Sequence, residues 1–107
     1  MQVTLNHFLA LSAVIFSIGL YGALAKRNTV AILMCVELMF NAVNITLVAF
    51  SRYLPAPNEA AQISGQILAL FIITVAAAET AVALAIILTI FRTRRTVNVE
   101  EVNLLKW

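Results

Sequence analysis

Charged residues are scarce in this chain. Only 11% of its 107 residues are Asp, Glu, Lys or Arg, whereas 63% are hydrophobic. An ordinary soluble domain carries about 25% charged residues, so this composition excludes a soluble globular domain. The formal net charge of +2 does not indicate a nucleic-acid partner, because the basic residues do not line one face of any predicted element.

Cysteine, histidine and glycine are also rare. The single cysteine, Cys35, has no disulfide partner in the chain and cannot by itself form a cysteine-rich metal or iron–sulfur site, so we expect it to pack. The single histidine, His7, lies at the start of an apolar run, where a ring partly in water is ordinary and a proton-entry role is the alternative. The three glycines form no phosphate loop. Gly19 and Ala23, four residues apart, instead predict close approach of a second helix.

Three apolar runs account for most of the sequence. A bilayer core of about 30 Å is crossed by about 20 helical residues. The runs are Leu5–Ala25, Thr29–Phe50 and Ile67–Phe91, and we expect helices over about 5–25, 29–50 and 63–91, with a polar tail over 92–107. The sequence therefore predicts an all-α integral membrane protein with three transmembrane helices and a single membrane domain over 1–107.

Basic residues predict the orientation of these spans. They lie in the first turn and directly after the third span: Lys26, Arg27, Arg92, Arg94 and Arg95. The connection from Ser51 to Gln62 has only Arg52, which is offset by Glu59. Because cytoplasmic loops are enriched in Lys and Arg, we expect the first turn and the carboxyl end on the cytoplasmic side.

Two glutamates lie deep inside the predicted spans. At about 1.5 Å per helical residue, Glu37 is roughly 15 Å from the level of Arg27 and Glu79 roughly 20 Å from the level of Arg92. An ionised carboxylate near mid-membrane costs on the order of 3 kcal/mol on insertion scales, so such groups usually face protein or a water cavity. We therefore expect neither glutamate to face lipid.

The two glutamates have different neighbours on their own helices. At about 100° per residue, Asn41, Asn44 and Ser51 fall on the same side of the second span as Glu37. Glu79 lies in the stretch "VAAAETAVALA", where the residues one turn away are alanine or valine and Thr80 points about 100° away. The predicted hydrogen-bonding partners of Glu79 are therefore water or another helix.

Such acids can hold helices together, or they can exchange protons. Two of them at similar depth in only three spans favour a proton-handling site. Three helices do not readily enclose a complete water path across a membrane. The sequence therefore predicts one part of a larger membrane assembly.

Three segments carry a resemblance to a known family. They are "RNTVAILMCVELMFNAVNI" around Glu37, "GQILALFIITVAAAETAVALAIIL" around Glu79, and the ending "RTRRTVNVEEVNLLKW". Over essentially its whole length the chain resembles the K-type (4L-type) membrane subunit of the complex I family of proton-pumping NAD(P)H:quinone oxidoreductases. The "NAVN" and "NLLKW" motifs are most similar to the cyanobacterial and chloroplast branch, whose complexes pass electrons from ferredoxin to plastoquinone.

The resemblance implies three transmembrane helices packed among other membrane-arm subunits, in a thylakoid or plasma membrane. It implies that the chain itself binds no cofactor or metal, while the whole complex uses iron–sulfur clusters and quinone. The family's two intramembrane glutamates correspond to Glu37 and Glu79, as members of a proton relay, with Asn41 and Asn44 as supporting polar groups.

Three alternatives remain open at the level of sequence. A small multidrug transporter also uses a membrane glutamate but has four spans. A rotor-ring subunit of an ATP synthase carries one buried carboxylate on a glycine-rich hairpin, which three glycines in the whole chain argue against. A purely structural assembly subunit would need neither carboxyl group for proton transfer.

Overall fold

The computed structural model describes residues 2–95 and 97–100 and contains three α-helices. These are α1 (Leu5–Ala25), α2 (Thr29–Tyr53) and α3 (Glu59–Arg94), and each is long and apolar enough to cross a membrane. The all-α prediction with three spans is confirmed. Thr96 and residues 101–107 of the predicted tail lie outside the described residues.

The connection between α2 and α3 is shorter than the sequence predicts. It covers only residues 54–58, because α2 continues to Tyr53 and α3 begins at Glu59. The early start of α3 has a local cause: the Asn58 side chain accepts a hydrogen bond from the backbone N–H of Ala61 at 2.7 Å. Such a cap satisfies an amide that the helix itself leaves unpaired, so the helix extends into residues that hydropathy assigns to the loop.

The turn between α1 and α2 holds the two helices antiparallel. It contains only residues 26–28. Asn28 ends the turn and caps α2, since its side-chain oxygen accepts hydrogen bonds from the N–H groups of Val30 at 2.9 Å and Ala31 at 3.3 Å. A connection this short leaves α1 and α2 as direct neighbours.

Helix α2 lies in the middle of the fold. It packs against α1 on one side and α3 on the other, whereas α1 and α3 do not approach each other within the described part of the chain. The fold is therefore an open row of three helices and not a closed bundle.

Small residues form both helix contacts. A Cβ added at Gly19 of α1 would lie 2.7 Å from Met39 Cγ and 2.8 Å from the Cys35 carbonyl oxygen, and one added at Gly65 of α3 would lie 2.7 Å from the Leu47 carbonyl oxygen. Gly22 likewise faces Cys35 Sγ. The predicted close approach of a second helix at Gly19 is thus confirmed, with Gly22 adding to it.

Bulky apolar side chains point outward. The residues buried within the described chain are small or medium-sized, with Ala42, Ala49, Ala69 and Ala76 among them, whereas many Leu, Ile, Val and Phe side chains are exposed. In helices that pack within a bilayer, small residues lie at the interface because they let backbones approach closely. The outward apolar surface is suited to hydrocarbon or to neighbouring membrane helices.

The segment that follows α3 pairs with the first turn. The Thr29 N–H donates to the Val97 carbonyl at 2.8 Å, and the Val99 N–H donates to the Arg27 carbonyl at 3.1 Å. Asn28 and Asn98 form an antiparallel bridge between these bonds. The Arg27–Glu100 ion pair, at 3.4 Å, is largely exposed and contributes little stability. The backbone pairing places the end of α3 and the α1–α2 turn at the same end of the molecule.

This pairing predicts a disulfide between cysteines introduced at Asn28 and Asn98 in a Cys35→Ser background. The two positions form a non-hydrogen-bonded antiparallel pair, for which Cα atoms are about 4.5 Å apart, within the range of about 4.4–6.8 Å that disulfides span. Mild oxidation should give a product with altered, thiol-reversible mobility on a non-reducing gel. The control pair Ala56→Cys with Asn98→Cys lies at opposite ends of α3 and should not cross-link; equal cross-linking of both pairs would contradict the pairing.

Candidate functional site

Glu37 lies in the middle of α2 and meets a partner on α3. Its side chain is half-buried, and the Thr80 hydroxyl donates a hydrogen bond to Glu37 Oε1 at 2.5 Å. A hydroxyl that donates to a carboxylate forms a charge-assisted bond, which is shorter and stronger than a neutral one. The bonded partner of Glu37 is therefore a residue of α3, and not one of the polar residues that share its side of α2.

A groove of about 400 Å³ opens beside this pair. Glu37, Asn41 and Thr80 supply its polar lining, and Val30, Leu33, Met34, Leu38 and Leu84 supply the rest. Asn41 also lines a second groove of about 590 Å³, together with Asn44 and, near the end of α2, Arg52. Asn41 thus lines both grooves. A line of polar side chains runs from Glu37 along α2 toward the α2–α3 connection.

The two asparagines occupy different positions relative to Glu37. Asn41 is exposed and shares a groove with Glu37, while Asn44 is buried with 8% of its surface accessible. Within the described residues neither donates a hydrogen bond to the Glu37 carboxyl group. Asn44 Oδ1 is buried without a hydrogen-bond partner in the described chain. Because an unpaired buried carbonyl costs about 1–3 kcal/mol, a donor from water or an adjacent protein is needed there.

Ser51, which also lies on the Glu37 side of α2, has a different role. It is buried, and its hydroxyl donates to the Gln62 carbonyl of α3. This bond lies close to Gly65, where α3 approaches α2. Ser51 therefore belongs to the helix contact near the α2–α3 connection and not to the surroundings of Glu37.

Glu79 lies on an exposed side of α3. It lines one groove of about 230 Å³ with Phe40, Phe71, Ile72, Val75 and Ala76, and another of about 320 Å³ formed only by residues of α3. Its carboxyl group receives no hydrogen bond from the described residues. Its exposure leaves water or a neighbouring protein to satisfy it.

The two glutamates do not meet. Glu37 and Glu79 line different grooves, although Thr80, the partner of Glu37, directly follows Glu79 in the chain. Proton exchange between the two carboxyl groups would therefore need water or groups from outside this chain. The two glutamates are connected through Thr80, which hydrogen-bonds Glu37 and is joined to Glu79 by a peptide bond.

Thr80 is the site residue that sequence reasoning missed. The sequence shows it as the one polar residue beside Glu79 and places it about 100° around α3 from that carboxyl group. That direction is informative only when the position of α2 is known. The only signal for Thr80 in the sequence was a hydroxyl among alanines and valines. The packing of α3 against α2 then identifies Glu37 as its hydrogen-bond partner.

Within the described residues, neither His7 nor a metal-binding cluster is part of this site. His7 is exposed at the start of α1, and its Nδ1 accepts a hydrogen bond from the Thr4 N–H at 3.0 Å, which is consistent with the ordinary role expected for it. In the part of the chain that the structure describes, no three His, Cys, Asp or Glu side chains lie close enough together to hold a metal ion.

Comparisons with known proteins give a consistent result. The family model described as NADH-ubiquinone/plastoquinone oxidoreductase chain 4L matches residues 7–107. NADH-quinone oxidoreductase subunit K of Geobacillus sp. (strain WCH70) is 56% identical over 98% of this chain and 97% of its own length. NAD(P)H-quinone oxidoreductase subunit 4L of Nostoc sp. is 53% identical over 96% and 98%, and the organellar chromatophore protein of that name from Paulinella chromatophora is 52% identical over both full lengths.

Proposed function

The chain belongs to the NADH-ubiquinone/plastoquinone oxidoreductase chain 4L family, whose members are membrane-arm subunits of NADH-quinone oxidoreductase, and from this premise we propose that it is a non-redox proton-translocating subunit. In this proposal Glu37 and Glu79 exchange protons as members of a relay that quinone reduction drives. The supporting observation is the half-buried Glu37 carboxyl group, bonded to Thr80 across the helix contact and open to a groove.

Glu37 has the surroundings that reversible proton exchange requires. A carboxyl group sealed in hydrocarbon would stay neutral, and one in bulk water would not respond to the protein. Glu37 lies between these limits, since Thr80 bonds one oxygen while the groove gives room for water beside Asn41. Asn41 is the supporting polar group in this proposal. Asn44 is the next polar group along α2, where an unpaired carbonyl oxygen can accept a hydrogen bond from water.

Glu79 hands protons to groups outside this chain in our proposal. It is exposed on α3 and has no bonded partner among the described residues, so the next member of the relay must be water or a side chain of an adjacent subunit. The open row of helices fits such an arrangement, because α1 and α3 leave their outward faces to neighbours. The expected partners are therefore other membrane-arm subunits and the lipid bilayer, with no nucleic acid.

Redox chemistry belongs to other subunits in this proposal. We expect this chain to bind no cofactor, and iron–sulfur clusters and quinone to be held elsewhere in the complex. The only cysteine, Cys35, packs against Gly22, so it is committed to a helix contact. What the chain supplies to the reaction is the movement of protons at the Glu37 and Glu79 carboxyl groups.

We further propose a thylakoid setting of the cyanobacterial type, with the carboxyl end on the cytoplasmic or stromal side. The support is the "NAVN" segment at 41–44, the "NLLKW" ending at 103–107 and the Nostoc relative. The Geobacillus relative is similar to the same degree, so the weight of this proposal rests on the two segments. The placement of the carboxyl end on the cytoplasmic or stromal side is supported by the basic residues of the first turn and of the end of α3, which share one end of the molecule.

A structural role is the second candidate function. It is favoured by the Thr80–Glu37 hydrogen bond itself, which joins α3 to α2 and would stabilise the helix pair whether or not protons move. In that case the carboxyl group serves only as an acceptor. Glutamine retains an acceptor oxygen but cannot exchange a proton, so it separates the two candidates.

The first test is Glu37→Gln. The amide fills the same space and accepts the Thr80 hydrogen bond, so the complex should assemble, yet proton pumping should fall by at least about tenfold because a proton-transfer group typically contributes more than that. Pumping is measured by dye quenching in sealed vesicles, with quinone reduction measured alongside. Glu59→Gln, the same substitution in the exposed first turn of α3, is the matched control and should leave pumping unchanged. Normal pumping by an assembled Glu37→Gln complex would assign Glu37 to structure.

The second test concerns Glu79. Glu79→Gln should assemble but lose coupled pumping, and Glu79→Asp should retain part of it because the carboxyl group survives one methylene further back. Infrared difference spectra should show a carboxylic C=O band that changes during turnover and disappears in Glu79→Gln. A wild-type spectrum without that band, together with normal pumping in the glutamine variant, would exclude Glu79 from the relay.

The third test concerns location and orientation. Single cysteines at Ala56 and Val99 in a Cys35→Ser background lie at opposite ends of α3, and both positions are exposed. In sealed thylakoid vesicles of known sidedness, an impermeant thiol reagent should label Val99→Cys only from the cytoplasmic or stromal side and Ala56→Cys only from the other. Labelling with reversed sides would overturn the orientation, and absence of the subunit from thylakoid fractions would overturn the location.

A further inference from the structure

Four threonine hydroxyls of α2 and α3 bond the preceding turn of their own helix, and Thr80 does not. Thr74, Thr89 and Thr93 of α3 each donate to the backbone carbonyl four residues earlier, at 2.9, 2.9 and 3.0 Å. Thr46 of α2 does the same at 3.2 Å and also shares a hydrogen bond with the Ser12 hydroxyl of α1. Thr29, at the first position of α2, has no preceding turn and donates to the Val97 carbonyl. Bonds to the preceding turn satisfy a hydroxyl donor within its own helix. Thr80 instead donates across the helix contact to Glu37.

The Thr80 hydroxyl therefore has two acceptors within reach of a side-chain rotation. One is Glu37 Oε1, which it bonds; the other is the carbonyl of Ala76 one turn earlier, the type of acceptor that the other threonines use. Threonine in a helix divides between two χ1 rotamers because its hydroxyl can bond the preceding turn. The Thr80 hydroxyl bonds the carboxyl group and not this local carbonyl.

The strength of this hydrogen bond depends on the state of Glu37. A hydrogen bond to an ionised carboxylate is roughly twice as strong as a neutral one. The Thr80–Glu37 contact is thus tied to the charge of the carboxyl group that the proposed relay uses. The contact also fixes where that group points, since one oxygen is held at α3 while the groove beside Asn41 adjoins the same side chain.

We propose that Thr80 is a positioning residue for proton exchange at Glu37: its hydroxyl holds the carboxyl group in the orientation from which protons pass along the groove. This inference rests on the proposed function of Glu37. Displacement of a reacting group by about 1 Å can slow a reaction by about a hundredfold, so orientation by one hydrogen bond matters for a group that must align with water or with a neighbouring acid.

The test compares Thr80→Val with Thr80→Ser in the intact, assembled complex. Valine keeps the branched shape but has no donor, and serine keeps the donor. We expect about tenfold slower proton pumping in Thr80→Val, the fold-change that corresponds to losing one hydrogen bond to a charged group, and nearly normal pumping in Thr80→Ser. Thr74→Val and Thr89→Val are matched controls on the same helix and should pump normally, because their hydroxyls bond only their own backbone.

A spectroscopic measurement separates positioning from packing. The infrared carboxyl band of Glu37 is identified by its loss in Glu37→Gln. It should shift in frequency in Thr80→Val, stay in place in Thr80→Ser and be unaffected by Thr74→Val. The double variant Glu37→Gln, Thr80→Val should pump no more slowly than Glu37→Gln alone, since a residue that acts through Glu37 has no further effect once that carboxyl group is gone.

The outcomes distinguish this inference from the proposed function. Normal pumping in assembled Glu37→Gln would overturn both. Impaired pumping in Glu37→Gln with normal pumping and an unshifted Glu37 band in Thr80→Val would overturn the positioning role alone. Impaired pumping in Thr80→Val that serine does not restore would also overturn it, because the loss would then follow from shape and not from the hydroxyl donor.

Discussion

Hydrocarbon offers no hydrogen bonds, and this constraint governs where each polar side chain of the three helices lies. Ser12 of α1 donates to the Ala42 carbonyl of α2 at 2.6 Å, and Ser51 donates to the Gln62 carbonyl of α3. Thr80 donates to Glu37. Polar groups in lipid that lack such partners are expensive. The bonds therefore stabilise the two helix contacts at the same positions where small residues let the backbones approach.

Asn44 and Glu79 lack such partners within the described residues, and both identify surfaces that other molecules can complete. Asn44 Oδ1 is buried without a donor, and the Glu79 carboxyl group is exposed on α3. The open arrangement of the helices leads to the same conclusion, because α1 and α3 each have an apolar face that the described residues leave uncovered. Apolar faces of this kind suit a subunit that packs among other membrane proteins.

The two glutamates are unequal members of the proposed relay. Glu37 is held by this chain, because Thr80 bonds its Oε1 and the side chain lines a groove that Asn41 also lines. Glu79 is exposed and has no hydrogen-bond partner among the described residues, so its partners in the proposed relay come from outside the described chain. Thr80 follows Glu79 directly and bonds Glu37, so a rotation of α3 that changed the environment of one carboxyl group would disturb the contact of the other.

The sequence by itself determined the three spans and the family. The position of each glutamate along its helix also follows from the sequence, because an α-helix rises by a fixed amount per residue. The tertiary structure decided that Glu37 pairs with Thr80, that Asn41 and not Asn44 shares its groove, that Ser51 belongs to the helix contact, and that residues 97–99 pair with the first turn. These depend on how one helix is rotated and shifted against another. That register is set where Gly19 and Gly65 let α1 and α3 approach the backbone of α2, and it requires both helices at once.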